Sequence, residues 1–300
     1  MTPGFESASA ASCPSPRTAL VGDSGPGINE LLDSVLTSEG WSVQRVPDNQ
    51  TILSLATANL FDLIITASKS KGPEDLQLLR KIRGVRSHTR LIILTDQWTP
   101  GDVVAAMREH AFSYFSGPFE HSALAEMVRW AMASPCWDDG IEVFSATPAW
   151  VQLRARCDVA TANRLVQFLR GVKDPETPEA DREDIACAFK EILMNAMEHG
   201  GKFDPTQYVE ISYLRSHHAI ICRVKDPGQG FSLEELDHAA INNPVGDLFS
   251  HIAARDARGL RPGGFGLLMS KKLVDELIYN EKGNDVLLVK YRDHATARGV

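Results

Sequence analysis

The chain has 300 residues, 43% of them hydrophobic and 23% charged, and a formal net charge of −8. That balance fits an ordinary globular protein of about two domains, and it offers no basic surface for direct nucleic-acid binding or for a membrane. No apolar run is long enough to span a bilayer. The cysteines at 13, 136, 157, 187 and 222 lack CxxC spacing and read as free thiols of a cytoplasmic protein, and the dispersed histidines form no metal-ligand pattern.

Residues 1–16, "MTPGFESASAASCPSP", lack the basic start and apolar core of a signal peptide and are expected to be a disordered lead-in. Strand-like runs follow at 18–23, 41–46, 60–66, 90–95 and 112–116. Between and after them lie amphipathic helical stretches such as "INELLDSVLTSEG", "PEDLQLLRKIRG" and "EHSALAEMVRWAM". Strict alternation of strand and helix predicts an α/β fold with a parallel, doubly wound sheet covered on both faces. Ligand chemistry in such a sheet belongs at the carboxyl ends of its strands.

Over residues 17–132 this half resembles the receiver domain of two-component response regulators, which implies a flavodoxin-like sheet. That family holds a metal ion with an acidic pair after the first strand and accepts phosphate on an Asp after the third. It contacts that phosphate through Ser/Thr after the fourth strand and Lys after the fifth. Here "VGDSG" keeps Asp23 beside Gly22, "DLIITAS" puts Ala67 at the acceptor position, Thr95 survives, and "YFSGPF" has Gly117 where the Lys belongs. Without the acceptor carboxylate no acyl phosphate forms, and a single acid is a poor Mg²⁺ site. The expectation is a non-phosphorylatable receiver serving as a regulatory, docking or dimerisation module.

The stretch 132–150 is rich in Pro, Ser, Asp and Gly and breaks the alternation; residues 133–146 read as a linker with a short strand or turn. Beyond it "AWVQLRARC" alternates like a strand and "ATANRLVQFLRGV" is helical. Asp181, closing the loop "DPETPEAD", is placed to cap the next helix. "YVEISYL" and "AIICRVKD" are strands, and "KLVDELIYNEKGNDVLLVKYR" gives a helix and a hairpin turning at "EKGN". Helices with a largely antiparallel sheet predict an α/β two-layer sandwich over residues 147–293, leaving 294–300 as a tail.

Three motifs stand in order on this half. In "EILMNAMEHGGK", Glu191, Asn195, Glu198 and His199 fall on one stripe beside an apolar helix face, at about 100° per residue. "DPGQGF" follows a strand, so Asp226 offers a carboxylate with the chain bending tightly behind it, suited to the exocyclic amine of adenine. "RPGGFGLLMSKKL" places Gly263, Gly264 and Gly266 at a helix start, where free N–H groups favour phosphates. Asn195 offers a neutral oxygen to Mg²⁺, and Glu191, one turn earlier, can take a proton from a nucleophile. Taken singly, such turns and stripes are commonplace surface features; the information is in their order and in the kind of element that carries each.

That conjunction resembles the N, G1 and G2 boxes of the GHKL ATPase superfamily, the Bergerat fold of gyrase, Hsp90, histidine kinases and MutL. Within it, "EILMNAMEHG", "VKDPGQGF" and "GGFGLLMSKKLVDELIYNEKGNDVLLVKY" are most similar to the small anti-sigma-factor serine kinases. The resemblance implies ATP and Mg as cofactors, Glu191 as general base, Asn195 on Mg²⁺ and Asp226 on adenine. It also implies that Gly228, Gly230, Gly264, Gly266 and Leu267 form the pocket and that residues 232–262 form an ATP lid. Of the lid's Arg255, Arg258 and Arg261, the last is taken to reach the γ-phosphate. It implies as partners an anti-anti-sigma (STAS) protein to phosphorylate, a sigma factor to sequester, and a second copy in a homodimer. The alternative is a non-enzymatic, ATP-dependent protein-binding switch; the presence of Glu191 favours the serine/threonine kinase. A sensor histidine kinase is disfavoured, because the Pro/Gly-rich linker leaves no room for a phosphoacceptor helical hairpin.

Overall fold

The structure, a computed structural model, describes residues 17–69, 71–133, 139–172, 177–230 and 265–292. Strands β1 (Thr18–Gly22), β2 (Ser42–Val46), β3 (Leu63–Ile65), β4 (Arg90–Thr95) and β5 (Ser113–Ser116) pair in parallel in the order β2-β1-β3-β4-β5. Their inner strands read as unbroken apolar runs because both faces are covered. Helices α1 (Pro26–Ser38) and α5 (His121–Ala133) pack on one face, where Val21, Ile65 and Leu94 meet Leu32 and Leu124. Helices α2 (Asn49–Ala58), α3 (Gly72–Val85) and α4 (Pro100–Arg108) cover the other, with Leu20, Ile64 and Ile93 against Ile52, Leu79 and Val103. Asp48 caps α2 by accepting the Thr51 N–H at 2.7 Å, and Thr99 with Asp102 forms a capping box on α4. The doubly wound sheet is as expected.

The second sheet is antiparallel and six-stranded. It comprises β6 (Ile141–Thr147), β7 (Trp150–Arg156), β8 (Tyr208–Arg215), β9 (Ala219–Lys225), β10 (Glu276–Tyr279) and β11 (Asp285–Tyr291), in the order β10-β11-β9-β8-β7-β6. Helices α6 (Val159–Gly171), α7 (Glu179–Asn195) and α8 (Gly266–Leu273) form the second layer, the two-layer sandwich foreseen in the sequence. Alternate residues Val151, Leu153 and Ala155, and Val209, Ile211 and Tyr213, point into the core between the layers. The stretch read as a linker supplies β6, the edge strand of this sheet, with a bulge between Val143 and Ser145.

Two local expectations are corrected. Pro178, not Asp181, stands at the N-cap of α7; Asp181 sits in the first turn, drawn to Lys290 Nζ at 3.3 Å. Past Asn195 the helix continues as a π-turn over Ala196–Gly200, closed by the Gly201 N–H bonding the Ala196 carbonyl at 2.9 Å. The wider turn changes the 100° step on which the placing of Glu198 and His199 beside Glu191 and Asn195 rests.

The two sheets share one apolar cluster. Helix α6 lies against β5, α4 and α5 on one side and against α7 on the other. Arg164 on α6 is buried at this junction, its side chain 2% exposed. Its Nε donates to the Phe112 carbonyl at 2.8 Å, its Nη2 to the Ala111 carbonyl at 3.2 Å and its Nη1 to Asp139 Oδ1 at 3.0 Å. Its guanidinium also lies 5.0 Å from the centroid of the Phe112 ring. Asp139 is shared with His110, whose Nδ1 is 2.7 Å from Oδ2. Among the described residues no helix is long and apolar enough to cross a membrane.

Candidate functional site

Helix α7 presents Glu191 and Asn195 one turn apart, both half-buried, and packs along α8. The first residue of α8 is Gly266, and it lies against both. A Cβ there would sit 2.6 Å from Glu191 Oε2 and 3.9 Å from Asn195 Nδ2. The absence of a side chain at 266 thus lets the helix start come down onto the acid and the amide. Neither Glu191 nor Asn195 makes a side-chain hydrogen bond or ion pair among the described residues. Leu267 follows, half-buried and packed on the core beside α7.

Asp226 emerges from β9 at the carboxyl end of that strand. Its Oδ1 accepts the Gly228 N–H at 2.8 Å, and Oδ2 makes no hydrogen bond among the described residues. Gly200, closing the π-turn of α7, lies directly beneath: a Cβ on it would be 2.2 Å from Asp226 Oδ1. The π-turn therefore delivers a glycine under the acid, and it ties the helix of Glu191 and Asn195 to the loop of Asp226. Burial pushes the Asp226 carboxyl up from the ordinary range; the Gly228 N–H and the charges of Lys282 and His199 pull it down, while Asp285 adds to the rise. The net shift is upward, so burial wins.

The β10–β11 turn also reaches this loop. Lys282 Nζ donates to the Gly228 carbonyl at 3.4 Å, and Asn284 Nδ2 donates to the Asp226 and Gly228 carbonyls, each at 3.3 Å. Sequence reading took "EKGN" as a hairpin turn and "EHGG" as a helix stop, both within the stretches that carry the resemblance, and gave neither a part in holding the Asp226 loop. The signal present was local: two asparagines flanking a Gly, a pattern whose side chains bind main-chain groups. Arg261 and Gly264, with Gly263, Arg255, Arg258 and the expected lid, lie outside the described residues.

The corresponding pocket of the first sheet is engaged with its own neighbours. Asp23 Oδ1 accepts Asn29 Nδ2 at 2.7 Å and the Gly25 N–H at 3.3 Å, and the Asn29 bond leads in holding the carboxyl below its usual range. At the acceptor position the Ala67 N–H donates to Asn49 Oδ1 at 3.0 Å, and Asn49 Nδ2 donates to buried Asp75 at 2.7 Å. The Thr95 hydroxyl donates to the Gln97 carbonyl at 2.9 Å.

Known families match both halves. Residues 19–129 fit the response regulator receiver domain, and residues 153–290 fit the histidine kinase-like ATPase domain. The chain thus carries a segment similar to receiver domains followed by a segment similar to histidine kinase-like ATPase domains. That pairing supports an ATP-binding signalling protein.

Among curated proteins the chain is similar to the transcriptional regulatory protein GlrR of Escherichia coli K12, 30% identical over 41% of this chain and 28% of that protein. It is also similar to the DNA-binding transcriptional regulator NtrC of Azospirillum brasilense, 29% identical over 40% of this chain and 25% of that one. The chain thus spans about a quarter of the length of these relatives. A solved structure it resembles is the signal receiver domain of an HD domain-containing protein from Pseudomonas fluorescens Pf-5. That likeness is 24% identical with a TM-score of 0.35, covering 39% of this chain and 95% of that one.

Proposed function

We propose that the ATPase domain is a protein serine/threonine kinase of the anti-sigma-factor type, acting on an anti-anti-sigma (STAS) partner and sequestering a sigma factor in the cytoplasm as a homodimer. The observation that carries the reading is the meeting of Glu191, Asn195 and Gly266, with Asp226 Oδ2 set across the π-turn from them. A nucleotide fits the chemistry of these groups. Asp226 Oδ2 is an acceptor for the adenine amine, and a Cβ at 200, 228 or 266 would stand in the cradle. Asn195 would give one oxygen to Mg²⁺. Among the described residues no three His, Cys, Asp or Glu converge as a protein-built metal site, so the remaining ligands would be phosphate oxygens and water. Bound ATP supplies the γ-phosphoryl group.

This chain's residues then have separate tasks. Asp226 would orient the base, Asn195 would hold the Mg²⁺ that accompanies the phosphates, and Glu191 would take the proton of an incoming serine or threonine hydroxyl as its oxygen bonds the γ-phosphorus and ADP leaves. Much of the rate in phosphoryl transfer comes from such positioning. Gly230, Gly264, Leu267 and Arg261 complete the pocket in this reading. The receiver domain, with Ala67 at the acceptor position and Asn49 bound to its N–H, serves as a non-phosphorylatable regulatory or dimerisation module.

The test is a pull-down with Mg·ATP followed by mass spectrometry for phosphoserine or phosphothreonine on the captured protein. Phosphate on a partner, absent with Glu191→Gln, supports the kinase. ATP-dependent capture with no phosphate transferred by the wild type would replace it with a binding switch.

A further inference from the structure

The turn joining β10 to β11 is built around two asparagines. Asn280 Oδ1 accepts the Asn284 N–H at 3.0 Å, and Asn280 Nδ2 donates to Asn284 Oδ1 at 3.0 Å. That leaves the Asn284 amide with two N–H donors on its far side, and they go to the carbonyls of Asp226 and Gly228. The main chain adds a further bond, from the Asp226 N–H to the Asn284 carbonyl at 2.9 Å. Asn284 is buried, at 9% exposure, so these bonds do not compete freely with water. Gly230, at φ +81°, brings the end of the same loop onto the turn; a Cβ there would be 1.8 Å from the Lys282 carbonyl.

The consequence falls on Asp226. A carboxylate can select an adenine amine only if its free oxygen is held in one direction, and a surface loop with three glycine or proline neighbours does not hold itself. Here Oδ1 is tied to the Gly228 N–H, and the carbonyls on either side of that contact are both tied to Asn284. We infer that Asn284 is a positioning residue for the base end of the nucleotide, fixing the Asp226–Gly228 loop so that Asp226 Oδ2 faces an adenine amine. The inference rests on the ATP-binding reading and adds to it a residue that sets the preference for adenine over guanine, without contact to the phosphates.

Two full-length variants test it, read by calorimetry with Mg·ATP and Mg·GTP. Asn284→Ala removes both donors. Asn284→Asp keeps the shape and the Asn280 contact but sets a carboxylate against two carbonyls. Both are expected to weaken ATP about tenfold or more while GTP changes less than twofold, so that the ATP/GTP ratio collapses. Equal loss of both nucleotides would make Asn284 a structural residue only, and unchanged ATP affinity would remove its role; either result overturns the inference. A wild-type protein that binds neither nucleotide refutes the ATP reading itself. Should a variant not fold, hydrogen exchange on the wild type decides. Adenosine alone is expected to protect the amides of Asp226, Gly228 and Asn284 together, and protection of the first two without the third overturns the proposal.

Discussion

Gly200→Ala isolates the contact beneath Asp226. A Cβ at 200 would lie 2.2 Å from Asp226 Oδ1, 2.3 Å from Cγ and 2.5 Å from Cβ. Ordinary carbon–carbon contact is about 3.5–4.0 Å, so the overlap is on the order of 1 Å. A rotamer change moves Oδ1 but not Cβ, so the main chain of the loop must give way. The methyl does not harm the helix end itself, since Ala is preferred to Gly in a helix by about 1 kcal/mol. Displacing the loop removes the aim of the carboxylate. A hydrogen bond to a charged group contributes about 1.5–3 kcal/mol, so ATP affinity is expected to fall about ten- to a hundredfold. Calorimetry with ATP and with adenosine should show the same factor, because the change is at the base end, with the melting temperature lowered only by the few degrees that an overpacking cost of about 1–3 kcal/mol implies. ATP affinity within twofold of wild type, in a protein that still folds, would refute the reasoning: Asp226 would not be the base contact.

Glu191→Gln should leave ATP affinity within a few-fold and reduce phosphate transfer to the captured partner by about 10²–10⁴-fold, measured on the same preparation. Arg164→Met takes the donors from two carbonyls at a buried junction and the buried cation from Asp139, which keeps only His110 and the Ile141 N–H; a loss of about 3–5 kcal/mol in denaturant unfolding is expected. His110, facing Asp139, Arg83 and Arg164, has its pKa raised first by the Asp139 bond. A raised folded value stabilises most at low pH, so this contribution is full below about 6.5 and fades as pH rises through the higher folded value. Melting scans from pH 5 to 8 should show that decline in wild type and lose it in His110→Gln.

What was legible in the sequence was what short-range spacing encodes. Glu191 and Asn195 are one α-turn apart, and a single helix is enough to put them side by side. Asp226 ends a strand before two glycines, and the chain's local bend gives the rest. The alternation of apolar runs with amphipathic stretches carried both sheets, and only the assignment of β6 to the second of them escaped it. Illegible was whatever depends on a partner far along the chain. Gly200 meets Asp226 across the π-turn, and no periodicity announces a π-turn. Asn284 binds carbonyls more than fifty residues away, and main-chain acceptors have no letter of their own. Asp181 is not the cap because α7 already begins at Glu179, which leaves its carboxylate in the first turn, 3.3 Å from Lys290 Nζ on the last strand.

Arg164 has a consequence for how the two domains can be exchanged. On the receiver side it grips the main-chain oxygens of residues 111 and 112 and one aromatic ring; on its own side it uses Asp139. Main-chain oxygens are present whatever side chains surround them. Part of the docking instruction is therefore written downstream of the receiver, in Arg164 and Asp139, while His110 and the apolar side chains of the shared cluster supply the receiver's part. A chimaera that places a different receiver ahead of Asp139 keeps the arginine's two main-chain acceptors if its fifth strand enters the same way, but it must also replace what His110 and the shared apolar cluster contribute.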